Sequence, residues 1–318
     1  PDMLLLSYTG CYTFLKWFEL LREQYKCPTV MLHVPYQGDG KAQITQSMRD
    51  YVIKQLKEEV IPTMEQISGI KFDIDKLREY LRNSAKAEDD LVWVLQTAKN
   101  KPSPIDGYFG AVYYIGPIFS AFRGTEDAVE YYKLLRGEIK ERLDQGLGPV
   151  TPEGEMGEEK YRLVVEGPPN WTNFREFWKM FYEDGAVCVA SSYSKVGGVY
   201  DYDGFRHDPD NPLESLADYC LGCYTNRNLP ERTQMMVDYI EEYQADGLLI
   251  NSIKSCNSFA AGELLMLREV EARTGKPGAF IETDLVDPRY FSPANVKNRL
   301  ESYFQMIEQK RQGGAEAA

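Results

Sequence analysis

Residues 4–18, LLLSYTGCYTFLKWF, and residues 249–263, LINSIKSCNSFAAGE, carry one layout at two distant points of the chain. Each is an apolar run, a Ser, two variable residues, a small residue, a Cys, and a Phe three positions further on. Ser7, Gly10, Cys11 and Phe14 match Ser252, Ser255, Cys256 and Phe259 in register. The apolar run before and the helical spacing after place each Cys on a strand-to-helix turn. In open α/β sheets ligands bind at the carboxyl ends of strands, where such turns lie.

A Cys at a helix start sits among unpaired N–H groups and near the positive end of the helix dipole. Both favour the thiolate, the form that binds metal or an iron–sulfur cluster. The small residue ahead of each Cys lets the backbone approach a bulky inorganic group. Cys11 and Cys256 are therefore the candidate ligands of one metal or cluster shared by two halves of the molecule. Two plainer readings stand beside it. The cysteines can be buried small hydrophobes, or the repeat can be a duplicated fold without a shared ligand.

Working outward, Met3–Ser7 reads as a buried strand, Tyr12–Gln24 as an amphipathic helix and Thr29–Val34 as a second strand. That is one β-α-β unit of a parallel sheet, with its earlier strands expected upstream of Pro1. The chain then reads as helical over 43–68, 73–99, 108–122 and 125–145, with Asp73 and Thr125 as N-caps. Residues 146–157 read as a linker. Strands follow at 160–166, 186–191, 247–251 and 278–282, and helices at 171–183, 212–221, 229–244, 258–273 and 292–310. Gly313–Ala318 reads as a disordered tail. The expected fold is α/β: two doubly wound, Rossmann/flavodoxin-like parallel-sheet domains separated by a helical insertion. The expected divisions are 1–42, the remainder of an N-terminal α/β domain, then 43–150, helical, and 151–318, a C-terminal α/β domain.

Composition excludes several functions. The net charge of −13 argues against a nucleic-acid surface. No apolar run approaches the roughly 20 residues of a membrane span, and no signal peptide is visible. Six cysteines in such a chain fit a reducing cytosol. The 22 tyrosines in 318 residues suit a pocket for flat ligands. There is no P-loop and no G-x-G-x-x-G after a strand, so nucleotide binding has no support.

The remaining candidates are weaker. Cys220 and Cys223 form a C-x-x-C, a moderate signal for metal or redox work. With Cys11 and Cys256 they would complete a four-thiolate site. Cys27 and Cys188 read as core. His33 ends a strand and reads as structural, and His207, in the polar stretch FRHDPDNP, reads as solvated. The stretch 166–171, EGPPNW, leaves a strand and enters a helix, and its Trp makes a stiff rim for an acyl pocket or an ordinary turn. Lys195 and Lys254 read as solvated lysines or as contacts for anionic ligand phosphates.

These motifs together have a familiar pattern. The S-x-x-G-C turn at Cys11, the SIKSC turn at Cys256 and the E-x-D-x-x-D-P-R stretch (Glu282, Asp284, Asp287, Arg289) resemble the 2-hydroxyacyl-CoA dehydratase/benzoyl-CoA reductase family across essentially the whole chain. GPPNWTNFREFW, ASSYSKVGG and YCLGCYTNRN look closer to the B-subunit branch of the ATP-dependent (class I) reductases than to the dehydratases. The resemblance implies a 4Fe–4S cluster held between two α/β domains by three cysteines of one subunit. Two of them match Cys11 and Cys256, and the third is expected upstream of this chain, with the part of Cys220 and Cys223 open. It implies a cytoplasmic oxidoreductase subunit for anaerobic aromatic catabolism, with ATP- and ferredoxin-dependent two-electron reduction of benzoyl-CoA to a cyclohexadiene-carbonyl-CoA. The implied partners are a homologous acyl-CoA-binding subunit, ATP-hydrolysing iron–sulfur activator subunits, ferredoxin and the acyl-CoA itself, with no nucleic acid and no membrane. Radical elimination of water by a 2-hydroxyacyl-CoA dehydratase subunit, and a non-catalytic cluster-carrying electron-transfer or scaffold subunit, are the alternatives.

Overall fold

A computed structural model of the chain describes residues 1–9, 12–38, 44–117, 122–195 and 205–316. Cys11 and Gly10 lie outside the described residues. β1 (Leu4–Tyr8), α1 (Tyr12–Tyr25) and β2 (Thr29–His33) form the expected β-α-β unit, paired in parallel from Leu4 opposite Thr29 to Tyr8 opposite His33. The helical run follows as α2 (Gln46–Gln55), a π turn over Leu56–Val60, α3 (Ile61–Ser68), α4 (Ile74–Gln96), α5 (Phe109–Ile115) and α6 (Glu126–Asp144). Its caps come from the residue types such ends require. Thr45 accepts from Met48 N, Asp73 from Asp75 N and Lys76 N, and Thr125 from Ala128 N.

Two strands of two residues each, β3 (Val150–Thr151) and β4 (Gly154–Glu155), make a tight hairpin inside the stretch that reads as a linker. Gly154, at φ +115°, supplies the turn conformation that other residues avoid. Arg142 of α6 fixes the hairpin by gripping Glu155 with both terminal nitrogens, at 2.9 and 2.6 Å.

The rest of the chain alternates: β5 (Tyr161–Glu166), α7 (Phe174–Tyr182), β6 (Ala186–Ser191), α8 (Pro212–Leu221), α9 (Leu229–Glu242), β7 (Gly247–Ile253), α10 (Asn257–Ala260), α11 (Glu263–Thr274), β8 (Gly278–Thr283) and α12 (Pro293–Glu316). These four strands form a parallel sheet in the order β6-β5-β7-β8. The alternation of facing side chains divides its core. Val164, Leu248 and Ile250 join residues of α4, α6, α9 and α11, while Leu163, Val165 and Leu249 join α7 and α12. Helices thus cover both faces, as a fully buried parallel sheet demands. A third cluster joins Val30 and Leu32 of β2 to Val52 and Ile53 of α2 and to Ala217 and Leu221 of α8, so a late helix packs on the N-terminal strands.

Several boundaries differ from the sequence reading, among them the helix expected over 108–122, which ends at Ile115, and the one expected from 171, which begins at Phe174 after a 3-10 turn. The helix expected over 258–273 is broken, because Ala261 is extended and Gly262 takes φ +86° before α11 begins. The tail expected to be disordered from Gly313 instead continues α12 to Glu316. Cys188 is fully buried as expected, whereas Cys27 is only half-buried beside β2.

Arg162 locks the helical run to the sheet. Buried on β5, it donates to the carbonyls of Ala98 (2.7 Å), Asn100 (3.0 Å) and Tyr243 (3.1 and 2.9 Å) and pairs with Glu159 at 2.5 Å. The Glu159 side chain is 7% exposed. Removing one member of a buried pair strands the other charge, at a cost of about 3–5 kcal/mol. Arg162→Ala is expected to lose about that much stability, read as a lower urea midpoint at unchanged slope.

Candidate functional site

The strand order fixes where a ligand belongs. From β5 the chain crosses to β6 on one side and then returns to β7 on the other, so the order in which strands are added reverses between β5 and β7. Crevices outside the carboxyl ends of strands at such a reversal are the general binding position of this architecture. Here the two strand ends are Glu166 and Ile253, and they lead into the EGPPNW turn and the Cys256 turn.

The β5 exit needs its glycine. Gly167 has φ +101°, and a Cβ there would lie 2.2 Å from the Asn251 carbonyl oxygen. Asn251, buried on β7, donates to Pro168 O at 2.8 Å and accepts from Thr283 at 2.9 Å, tying three strand ends together.

The β7 exit is pinned from the next strand. Ser255 N donates to Asp284 at 3.0 Å, and Asp284 also accepts from Val286 N and Asp287 N. Burial pulls its carboxyl upward, but these hydrogen bonds hold it below the usual range. Asp284 of the E-x-D-x-x-D-P-R stretch is thus the clamp of the cysteine turn. Arg289 in the same stretch pairs with its neighbour Asp287 and is exposed. Cys256 then caps the single turn α10, with Ala260 N donating to its carbonyl at 2.9 Å.

The N-terminal turn lies against this one. Thr13, at the start of α1, donates to Ser255 O at 2.8 Å, and Thr225 donates to Thr9 at 3.4 Å. A cleft of about 180 Å3 opens between the two turns, lined by Thr9, Thr13, Trp17, Trp171, Tyr193 and half-buried Cys256 among others. Its rim is aromatic: Trp171 stacks on Phe174 at 5.6 Å and meets Tyr193 at 5.8 Å, and Phe14 packs against Trp17 at 5.2 Å. Among the described residues no set of three or more His, Cys, Asp or Glu side chains has metal-site geometry. Of the two expected thiols, the structure puts Cys256 on the cleft wall. Thr9 and Thr13, which lie on either side of Cys11 in the chain, line the same wall.

The C-x-x-C lies behind the N-terminal turn. Ser7 donates to Cys220 Sγ at 3.8 Å, and Cys223 Sγ lies 3.4 Å from the Thr225 hydroxyl. Burial pushes the Cys220 thiol up to about 11, away from the thiolate that a metal requires.

Beneath the Cys256 turn is a buried ionic group that no local motif announces. Glu166 accepts from Arg232 at 2.7 Å and from the Tyr224 hydroxyl at 2.6 Å. Arg232 also donates to the carbonyls of Ser258 (2.9 Å) and Phe259 (3.0 Å), and so holds α10 from below. Burial works against its charge, yet Tyr224 and Glu166 raise its pKa further.

The histidines divide. His33 ends β2 exposed, against Tyr8, while His207 is not solvated: it is 4% exposed. Its Nδ1 meets Glu88 of α4, and its backbone N donates to the same carboxylate at 2.9 Å. Arg123 completes the set at 2.9 Å. The reason is Glu88 itself, a fully buried carboxylate that must be paired. Of the two lysines, Lys254 is half-exposed and paired with Glu282 at 3.0 Å, and the Lys195 side chain lies outside the described residues.

With this geometry in place, comparison with known proteins gives the family. The family model described as 2-hydroxyglutaryl-CoA dehydratase, D-component, matches residues 1–307, and the chain belongs to that family. It is 78% identical over 315 residues to the B-subunit of benzoyl-CoA reductase from Thauera aromatica, covering 99% of this chain and 72% of that protein. Identity to the (R)-2-hydroxyisocaproyl-CoA dehydratase alpha subunit of Clostridioides difficile is 29% over 314 residues, covering 98% of this chain and 72% of that protein. For the lactoyl-CoA dehydratase alpha subunit of Anaerotignum propionicum it is 25% over 308 residues, covering 97% and 69%.

The Gly167 approach generates a test of the cleft. Gly167→Ala forces both a left-handed backbone on a residue with a Cβ and a retreat of Asn251. A loss of at least about 1–3 kcal/mol is expected, read as a lower melting temperature of the full-length subunit.

Proposed function

We propose that this chain is the B-type subunit of a benzoyl-CoA reductase, an oxidoreductase that adds two electrons to benzoyl-CoA and yields a cyclohexadiene-carbonyl-CoA. The observation that carries the reading is the 78% identity to the benzoyl-CoA reductase B-subunit along 99% of the chain, against 29% or less for the dehydratase subunits. The cleft at the β5–β7 reversal adds physical support, since an aromatic rim suits a flat acyl group.

Cys256, with Cys11 between Thr9 and Thr13, is the proposed ligand pair of a 4Fe–4S cluster. That cluster, when bound, supplies one-electron transfer at low potential. The chain's own residues do the rest. Asp284 and Arg232 fix the Cys256 turn, while Trp17, Trp171 and Tyr193 exclude water from the cleft and offer ring faces to the acyl group. Cys220 stays a protonated thiol that packs the back of the N-terminal turn.

The division into two doubly wound domains around a helical insertion belongs to this reading, with β1 and β2 as part of the N-terminal sheet. So do the partners: a homologous acyl-CoA-binding subunit, an ATP-hydrolysing iron–sulfur activator and reduced ferredoxin, in the cytoplasm. Among the described residues no helix is long and apolar enough to cross a membrane.

The test is Cys256→Ser in the assembled complex under strict anaerobiosis. Iron per complex is expected to fall and benzoyl-CoA reduction to drop at least a hundredfold, while the complex still assembles. Full iron with full turnover sinks the assignment. Dehydration of a 2-hydroxyacyl-CoA, with benzoyl-CoA left untouched, moves the chain to the dehydratase branch.

A further inference from the structure

The two turns that wall the cleft also wall a second pocket, of about 250 Å3. In the turn after β7, Ser255 and Cys256 line the cleft, and Lys254 lines the second pocket. In the segment after β8, Leu285 and Val286 line the cleft, and Arg289 and Tyr290 line the pocket. Asn295 and Arg299 of α12 join its wall. The charge there runs against the rest of the chain. Over the whole sequence 49 acidic residues outnumber 36 Lys and Arg. In the pocket three cations, Lys254, Arg289 and Arg299, meet from separate segments, against one lining carboxylate, Glu282. Even with Asp287, which pairs with Arg289, cations exceed carboxylates by three to two. The first turn of α12 adds no acid.

Each cation is oriented and keeps donors to spare. Asp287 takes Nε and Nη2 of Arg289, which leaves Nη1 without an acceptor among the described residues. Arg299 gives Nη1 to Phe280 O at 3.0 Å and Nε to Asn295 at 3.3 Å, and its Nη2 likewise has no acceptor among the described residues. Lys254 meets Glu282 at 3.0 Å and lies 5.6 Å from the centre of the Tyr290 ring. That ion pair is half-exposed, a setting in which such pairs contribute little, so an incoming anion can draw the ammonium away. Guanidinium forks match the spacing of phosphate oxygens.

We propose that this pocket is a phosphate subsite, in which Lys254, Arg289 and Arg299 hold the phosphate groups at the nucleotide end of the acyl-CoA while its acyl end lies in the neighbouring cleft. The inference rests on the reading of the ligand as a CoA thioester. The shared walls carry it. A molecule with a flat acyl group at one end and phosphates at the other meets an aromatic cleft and a cationic pocket built on the same two turns. The E-x-D-x-x-D-P-R stretch then has two tasks: Asp284 clamps the cysteine turn, and Asp287 orients a guanidinium for the phosphates.

The test is equilibrium binding to the assembled complex under anaerobiosis. The probes are benzoyl-CoA, S-benzoylpantetheine, which lacks every phosphate, and inorganic phosphate. Arg289→Gln combined with Arg299→Gln is expected to weaken benzoyl-CoA at least about tenfold, the scale of one charge-assisted hydrogen bond, and to leave S-benzoylpantetheine unchanged. Lys297→Gln removes an equal charge from an exposed position of α12 outside the pocket, and is expected to bind both thioesters as wild type does. Added KCl is expected to weaken benzoyl-CoA more on the wild type than on the double variant. Equal benzoyl-CoA affinity in the double variant and the wild type overturns the subsite. An equal loss for both thioesters overturns it too, because the damage then lies in the cleft. A double variant that loses inorganic phosphate but keeps benzoyl-CoA makes the pocket a free-anion site, which also overturns the assignment. A wild-type complex that binds neither thioester defeats the acyl-CoA reading itself, and the subsite with it.

Discussion

A single guanidinium, Arg232, sets the geometry on which the cleft depends. Its partners are a carboxylate at the end of β5 and two carbonyls of the turn that follows β7. One side chain thereby joins the two strands between which the sheet reverses. An arginine suits this task where a lysine does not, because its planar fork serves several acceptors in fixed directions. Its plane also lies over Tyr224 at 4.8 Å and over Phe259 at 5.8 Å, so the aromatic packing keeps the same orientation. A buried pair of this kind is weak evidence for net stability, since desolvation offsets much of the attraction. Its value here is conformational. Four residues of helix cannot hold themselves in water, and α10 persists because its carbonyls have a buried donor.

From that anchor the rest of the site follows by contact. With α10 held from below and Ser255 held sideways by Asp284, the Cys256 turn has little freedom. Thr13 then docks α1 on the carbonyl of Ser255, so the position of the N-terminal unit is referred to the same turn. On the other side of the cleft, Gly167 and Asn251 hold the EGPPNW turn against β7, and Trp171 inherits its placement from them. Few covalent neighbours are involved. The wall of the cleft is made by six chain segments, around Thr9–Trp17, Pro168–Trp171, Tyr193, Thr225, Ser255–Phe259 and Leu285–Val286, held in part by hydrogen bonds to backbone atoms.

How much of this could be read in the residues depends on the range of each interaction. Apolar runs of five to seven residues between helical patterns located β1, β2 and β5–β8, because a buried parallel strand must be apolar on both faces. Asp73 and Thr125 were legible as caps because capping is local. The Cys256 turn was legible for the same reason. The Glu166–Arg232 pair spans 66 residues, and the Glu88–His207 pair 119, and neither has a local signature. His207 sits in a stretch of Asp, Asn and Pro that reads as solvent-facing; only the fold reveals a buried carboxylate opposite. The break between α10 and α11 had a signal in Gly262, but the apolar spacing of Phe259, Met266 and Val270 continued across it and favoured one helix.

That break changes the electrostatic argument for the thiol. A long helix beginning at Cys256 would present the positive end of an extended dipole, whereas α10 offers four residues before the chain turns away. The macrodipole is a sum over aligned peptides, so its support for a thiolate at Cys256 is small. The charges that remain near the turn are those beneath it. Glu166 and Arg232 pair with each other, and Glu263 lies buried beside them. The break at Gly262 therefore does two things at once. It withdraws the helix dipole from the thiol, and it places the buried Glu263 carboxyl at the start of α11, beside the Glu166–Arg232 pair.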